Sequence, residues 1–235
     1  MKQFAIIGLG TFGVWVLEEL LQVDVEVLIV DKDDSVISEY RNQVQAAYIA
    51  DAIKEETINT IIPADIDAAI IDLGDRTEVS ILVVNYLKKL GVRQIVAKAE
   101  TDEHGEILRL VGATNVVFPN REAAKRIMPP LLSEAMFSYM PISDELVMAE
   151  VKIPEEHSGR SIAESELRAK LGLNVVAVKP GGVGEFVFVS PSHVLGPDDT
   201  FLVVGTNEAF SSFGQVVEEG RNRGVFRRFF RSRSG

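Results

Sequence analysis

The 235 residues predict an α/β chain, a doubly wound parallel sheet followed by a small α+β domain. Three observations carry this. From residue 1 to about 132, short β-rich runs alternate with helical patterns, the order that builds a parallel sheet covered on both faces. The first run, Phe4-Ala5-Ile6-Ile7, leads into Gly8-Leu9-Gly10-Thr11-Phe12-Gly13, and the second, Val27-Leu28-Ile29-Val30, ends in Asp31. Beyond residue 146 the pattern changes to strand, short helix, three strands and helix. That is too short for a dehydrogenase substrate domain.

Taken in order, strands are expected at 3–8, 26–31, 45–49, 68–72, 94–97 and 115–118. Helices are expected between and after them, at 11–21, 34–42, 54–61, 76–90, 101–111 and 120–132. Gly91 and Gly112 stand just past the fourth and fifth helices, where a left-handed C-terminal residue belongs. Pro63 follows the third helix, and Asp75 and Thr101 are candidate N-caps. Six strands with their helices complete one Rossmann unit, placed at residues 1–132.

The glycine turn is the candidate site. Gly8 permits the tight turn out of the first strand, Gly10 lets backbone approach a phosphate, and Gly13 lets the helix pack closely on the sheet. The helix start offers unpaired N–H groups and partial positive charge to that phosphate. Asp31 is placed to accept hydrogen bonds from ribose hydroxyls, with Lys32 beside it. In an open α/β sheet ligands bind at the carboxyl ends of the strands. Asp51-Ala52, Leu73-Gly74, Lys98 with Glu100, and Asn120-Arg121-Glu122 occupy those ends. Asp51 is the candidate for the adenine side and Lys98 for charge on the phosphates. The binding set is therefore Gly8, Gly10, Thr11, Phe12, Gly13, Asp31, Lys32, Asp51, Ala52, Leu73, Gly74 and Lys98.

After Pro129-Pro130 the pattern loosens. Leu131 to Met140 reads as a helical crossover carrying Met136, Phe137, Tyr139 and Met140, inside a linker at 133–145. Intramolecular packing and a dimer contact are equally open for it. The small domain, 146–219, has a strand from Leu146 to Ile153, a loop with Pro154 and Gly159, and a helix from Ile162 to Leu171 ended by Gly172. Strands follow at 174–179, 185–189 and 200–205, making a sheet of about four. Gly181-Gly182 supplies a hairpin turn, Pro197-Asp198 another, and Asn207 caps a last helix.

The net charge is −11, which argues against general nucleic-acid binding. It is unevenly spread. The tail at 220–235 holds six arginines and no acid, leaving 18 basic against 35 acidic residues before it, a charge of −17. Its interleaved arginines and phenylalanines suit anionic lipid or RNA; a disordered tail with an occasional partner is the plainer alternative. Cysteine is absent, which excludes disulfides and thiolate ligands. No window reaches the roughly 18–20 apolar residues of a membrane span. The N-terminus runs straight into the first strand, without the pattern of a signal peptide, so a cytoplasmic location is expected.

Catalytic chemistry is harder to find. Hydride transfer needs a proton donor or acceptor beside the nicotinamide. His104 lies on a helix and His157 and His193 in loops of the small domain, all three expected on the solvated surface. No Tyr-x-x-x-Lys pair and no His-rich metal constellation occurs. A nucleotide site without an evident catalytic one points to sensing rather than to an enzyme. The alternative is a small NAD(P)-dependent oxidoreductase.

At this point the sequence resembles a family. Ile6-Ile7-Gly8-Leu9-Gly10-Thr11-Phe12-Gly13, Ala50-Asp51-Ala52, Ile95-Val96-Ala97-Lys98-Ala99 and the run from Glu106 to Phe118 are similar to the Ktr/Trk-type RCK proteins. These are cytosolic regulatory subunits of bacterial potassium uptake systems. Gly159-Arg160-Ser161-Ile162 and Leu167-Arg168-Ala169-Lys170-Leu171-Gly172 resemble the TrkA-C (RCK-C) module. The resemblance covers residues 1 to about 219 and not the arginine tail. It implies nucleotide domains that dimerise partly through the crossover helix and assemble into an octameric ring beneath a membrane potassium-translocating subunit. That partner would hold the protein at the inner face of the membrane. Exchange of bound ATP against ADP, or NADH against NAD, would change the ring's shape and gate the pore. The C-terminal module would take cyclic di-AMP at a dimer interface, with Arg168 and Asn174 as candidates; a dimerisation module without ligand is the alternative. Two departures stand out. ATP-responsive members resemble Gly-x-Gly-Arg-Phe-Gly, and this chain has Thr11 at the arginine position. The acidic residue that helps hold a divalent ion after the sixth strand is replaced by Asn120, with Glu122 close by. A charge-assisted contact is worth roughly 1.5–3 kcal/mol, so its loss at Thr11 shifts expectation from a triphosphate toward a dinucleotide or diphosphate. Arg121 could compensate if it points inward.

Overall fold

The computed structural model describes residues 1–218, so the arginine-rich tail lies outside the described residues. The chain divides into two compact units, Met1–Pro119 and the remainder from Asn120.

The first unit alternates strand and helix: β1 (Gln3–Ile7), α1 (Thr11–Leu20), β2 (Glu26–Asp31), α2 (Asp34–Tyr40), β3 (Ala46–Ile49), α3 (Glu55–Ile61), β4 (Ala68–Ile71), α4 (Thr77–Leu90), β5 (Gln94–Lys98), α5 (Asp102–Val111) and β6 (Asn115–Val117). Its sheet runs β3-β2-β1-β4-β5-β6 with every pair parallel. The order reverses between β1 and β4, and a crevice opens there at the carboxyl ends. The central strands are apolar on both sides because both faces are covered. Ala5, Ile7, Leu28, Val30, Ala69 and Ile71 pack with α3, α4 and α5. Ile6, Val27, Ile29 and Ile70 face Leu17 of α1 and Ile37 and Tyr40 of α2. Alternate residues thus point to opposite faces, as a pleated strand requires.

Local signals hold at most helix ends. Thr101 caps α5, its side chain accepting from His104 N at 3.2 Å, and Gly91 ends α4 at φ 93°. Asp75 does not cap α4. Its backbone carbonyl accepts from Thr77 N at 2.9 Å, and the N-cap position falls on Arg76, which makes no side-chain cap bond. The chain makes a tight turn after Leu73, which puts Asp75 one residue too early to cap.

The second unit comprises α6 (Pro119–Leu132), β7 (Met136–Pro141), β8 (Leu146–Lys152), α7 (Ile162–Ser165), α8 (Leu167–Leu171), β9 (Asn174–Lys179), β10 (Val187–Phe188), β11 (Thr200–Thr206) and α9 (Asn207–Glu218). Its sheet, β10-β9-β11-β8-β7, is antiparallel throughout and has five strands rather than about four. The additional strand is β7, from the stretch expected to be a helical crossover. The helix stops at Leu132, shortly after Pro129 and Pro130, whose missing N–H groups weaken its last turn. Residues 136–141 then pair with β8, which places Met136 and Tyr139 in the core and leaves Phe137 and Met140 exposed. A register shift between Met136 and Ser138 makes that spacing possible.

The helix expected from Ile162 to Leu171 is broken at Glu166, which has φ 51°. Ser165 and Leu167 are both buried. Two residues apart on a straight helix they would lie about 200° apart, so they cannot share one core without a break. Ser161 starts α7 with a capping box, accepting from Glu164 N while the Glu164 carboxylate holds Ser161 N. At α9 the expected cap is displaced by one residue. Thr206 Oγ1 accepts from Ala209 N at 3.2 Å. Asn207 instead donates to the Asp144 carbonyl at 2.6 Å and accepts from the Tyr139 hydroxyl at 3.3 Å. It thereby ties the β7–β8 turn to the helix.

Candidate functional site

At the switch point of the parallel sheet the ends of β1, β2 and β4 enclose a cavity of about 260 Å³. Gly8 donates to the Val30 carbonyl at 2.8 Å and Asp72 N to the Ile7 carbonyl at 3.0 Å, which locks the three strand ends together. Each glycine of the turn has a steric reason. Gly8 has φ 87°, and a Cβ there would lie 2.0 Å from the Asp72 carbonyl oxygen. A Cβ on Gly10 would lie 2.5 Å from Asp72 Oδ2, and one on Gly13 2.5 Å from the Gly8 carbonyl. The close approach at Gly10 is thus made first by a protein carboxylate.

Asp31 lines the cavity with both oxygens oriented by backbone. Leu9 N donates to Oδ2 at 2.7 Å and Asp33 N to Oδ1 at 2.9 Å. A carboxylate has roughly four lone-pair sites, so capacity remains for ribose hydroxyls. At the start of α1, Gly13 N donates to Asp72 Oδ2 at 2.9 Å, and the first intrahelical bond runs from Val14 N to Gly10 O. The amides of Thr11 and Phe12 have no hydrogen-bond partner among the described residues. They are the helix-end donors available to an anion.

Of the residues read from the sequence, Gly8, Gly10, Asp31, Lys32, Ala52, Leu73 and Gly74 line the cavity together. Thr11, Phe12 and Gly13 are the first residues of α1 and are not among the lining residues. Asp51 is half exposed beside the cavity and pairs with Arg76 at 3.4 Å. Lys98 is not among the lining residues; its ammonium is 3.3 Å from Asp72 Oδ1 and 2.8 Å from Glu100 Oε1. Burial opposes its charge, but Glu100 and Asp72 outweigh that and raise its pKa above the ordinary lysine value. It stays protonated, shared between two carboxylates. Asn120, Arg121 and Glu122 fall in the first turn of α6, in the second unit.

Asp72 and Arg76 escaped the sequence reading. The signal for Asp72 was present: an acid closing the apolar run Ala68 to Ile71, directly before Leu73-Gly74. Arg76 carried none, because nothing local ties it to Asp51.

The histidines correct an expectation. His104 and His157 are buried rather than solvated. His104 Nε2 is 2.8 Å from Ser80 Oγ, and its Nδ1 accepts from Glu100 N at 3.4 Å. Since Ser80 itself donates to the Thr77 carbonyl, the ring carries its proton on Nε2. His193 is partly buried. No histidine lines the clasp.

The second unit has a cavity of its own, about 580 Å³, beside the break at Glu166. Arg168 and Asn174, the candidate pair for a second ligand, both line it, with Glu166 and the apolar Ile162, Leu167 and Leu173. Asn174 Nδ2 reaches the Val204 carbonyl at 3.4 Å.

Comparison with known proteins matches the TrkA-N domain over residues 4–119 and the TrkA-C domain over residues 148–216. Ktr system potassium uptake protein C of Bacillus subtilis is 34% identical over 218 residues, spanning 92% of this chain and 97% of that protein. Ktr system potassium uptake protein A of Bacillus subtilis is 28% identical, spanning 90% and 95%. The protein A of Vibrio alginolyticus is 27% identical, spanning 90% and 96%. Among solved structures, the GsuK RCK domain superposes with TM-score 0.62 at 19% identity, and the GsuK channel bound to NAD with TM-score 0.61 at 18%. Each match covers 92% of this chain but only 47% and 39% of those longer ones, and it bears on the fold alone. The chain belongs to the Ktr/Trk-type RCK family, built as a TrkA-N domain followed by a TrkA-C domain.

Proposed function

We propose that this chain is a nucleotide-sensing regulatory subunit that assembles as a ring and gates a membrane potassium transporter or channel. The bound signal is an adenine nucleotide (ADP or ATP) or NAD(H), held in the clasp at the switch point. The observation that carries this is the end-to-end similarity to a potassium uptake protein of the Ktr system, in a chain that has the clasp. Gly8, Gly10 and Gly13 shape the turn, Asp31 takes the ribose, and the Thr11 and Phe12 amides face the phosphates. Arg76 and Asp51, which pair at 3.4 Å, would meet the adenine side.

Gating needs only that the nucleotide bind two ring shapes unequally. Each tenfold preference supplies about 1.4 kcal/mol, and several sites per ring add. Tight binding without preference would change nothing. The protein acts from the cytoplasmic side, attached through its membrane partner; no described helix is long and apolar enough to cross a membrane. In the second unit, Arg168 and Asn174 are the polar groups for cyclic di-AMP in the larger cavity. We read the subunit as a regulator rather than an enzyme: His104 is held by Ser80 and the Glu100 amide and does not line the clasp.

Thermal-shift titration with ATP, ADP, NAD and NADH, alongside light scattering, tests this. At a hundred times its dissociation constant a native-state ligand adds about 2.7 kcal/mol of stability. One or more of the four is expected to raise the midpoint, on a particle larger than a dimer. A monomer indifferent to all four overturns the reading, and hydride transfer to any substrate would restore the oxidoreductase.

A further inference from the structure

Asp72 has a position that the sequence pattern of the clasp does not call for. It follows β4 at the switch point, its side chain is fully buried, and it lines the cavity. Oδ2 accepts from Gly13 N at 2.9 Å, so a protein carboxylate already occupies part of the helix end that would attract a phosphate. The same oxygen lies 2.5 Å from where a Cβ of Gly10 would be, directly under the turn.

The nearby cations do not offset it for a ligand. Lys98 is shared by Asp72 and Glu100, a trio with a net charge of −1. Arg76 holds Asp51. Asp31 and Asp33 add two further carboxylates to the lining against one further cation, Lys32, so the balance stays negative. Residue 11, at the head of the helix, is a neutral threonine. A phosphate entering this clasp therefore meets hydrogen-bond donors and a fixed negative charge together. A bridging diphosphate capped at both ends carries one charge per phosphate, whereas a terminal phosphate carries nearly two. Each added ligand charge adds repulsion from the buried carboxylate, while the number of donors in the clasp stays fixed.

We propose that Asp72 is a specificity-determining residue that selects a ligand without a terminal phosphate, a dinucleotide, over ADP and ATP. This rests on the reading of the clasp as a nucleotide site and narrows it.

Calorimetric titration of the full chain with NAD, ADP-ribose, ADP and ATP, in magnesium-free buffer, tests it on the wild type and on Asp72→Asn. Asparagine keeps the shape and an acceptor for Gly13 N but removes the charge. The wild type should bind ADP-ribose and NAD at least tenfold more tightly than ADP, and ADP more tightly than ATP. ADP-ribose and ADP differ by the ribose that caps the end, so that ratio needs no variant. In Asp72→Asn the advantage should shrink tenfold or more, through tighter binding of ADP and ATP. A wild type that prefers ATP, or a variant that changes all four affinities by one factor, overturns the proposal. A wild type that binds none of the four overturns the nucleotide reading instead. If Asp72→Asn fails to fold, Asp72→Ser, which also removes the charge and leaves Lys98 paired with Glu100, carries the same expectation.

Discussion

The two cavities of this chain are built by opposite means. The clasp of the first unit is made of backbone: three glycines whose missing Cβ atoms would each come within 2.5 Å of another atom. The cavity of the second unit is made of side chains around one residue in a left-handed conformation, Glu166. Of the positive-φ glycines in that unit, Gly159, Gly181 and Gly184 have open space where a side chain would go, while Gly172 and Gly182 do not. A backbone clasp of this kind tolerates almost no change. A side-chain cavity can be retuned residue by residue. Under the proposed function, the first would hold the nucleotide and the second would be the more easily altered site.

The largest effect expected from this contrast is a paired substitution. Gly8→Ala meets both a forbidden φ and a carbonyl at 2.0 Å, and should cost more than about 3 kcal/mol and abolish nucleotide binding. Gly159→Ala, at φ 79° with nothing nearby, should cost about 1–2 kcal/mol and leave binding intact. Urea denaturation with nucleotide titration checks both, and equal costs would break the comparison.

Acid should weaken both units. Burial holds the pKa of His104 and of His157 below the ordinary histidine value, with Glu100 and Glu156 respectively opposing the shift. The unfolded chain therefore takes up more protons than the native one below about pH 6.5. Stability is complete above that pH and falls as the pH drops through it. The variants should separate the units. His104→Leu should destabilise even at pH 8, because Ser80 and the Glu100 amide lose their partner. His157→Leu should be nearly neutral at pH 8, since its Nδ1 has no partner among the described residues, and should blunt the acid sensitivity. Thermal midpoints between pH 5 and pH 8 decide this.

Smaller effects refine the picture of the second unit. Ser161→Ala removes the capping box ahead of Glu166 and should cost about 1 kcal/mol, read by urea denaturation. Glu166→Gly relieves the left-handed strain and should gain about 0.5 kcal/mol. A loss there would mean that the Glu166 side chain, which pairs with Lys170 at 2.9 Å, contributes more than an exposed ion pair usually does.

Much of the molecule was legible from residues alone, and the reasons are local. Buried two-faced strands must be continuous apolar runs, so β1, β2, β4 and β5 announced themselves. Gly8, Gly10, Gly13 and Asp31 followed from spacing, because turn geometry and helix packing act within a few residues. Thr101 and Gly91 did so for the same reason. What failed was decided at a distance. The stretch 136–141 became a strand because β8, ten residues on, offered it a partner along one edge. The helix of the second unit broke because Ser165 and Leu167 had to reach one core. Asn207 was drawn from its cap by Asp144 and Tyr139, 63 and 68 residues earlier.

His104 and Lys98 mark the same boundary at the site itself. Sequence supplied the residue types, a histidine on a helix and a lysine at a strand end. Only packing of α4 against α5 buried the first, and only parallel pairing of β4 with β5 brought Asp72 within reach of the second. A charge acts through space, not along the chain. The glycine clasp was therefore determined by the sequence, while the charge that meets a ligand within it was decided by the fold.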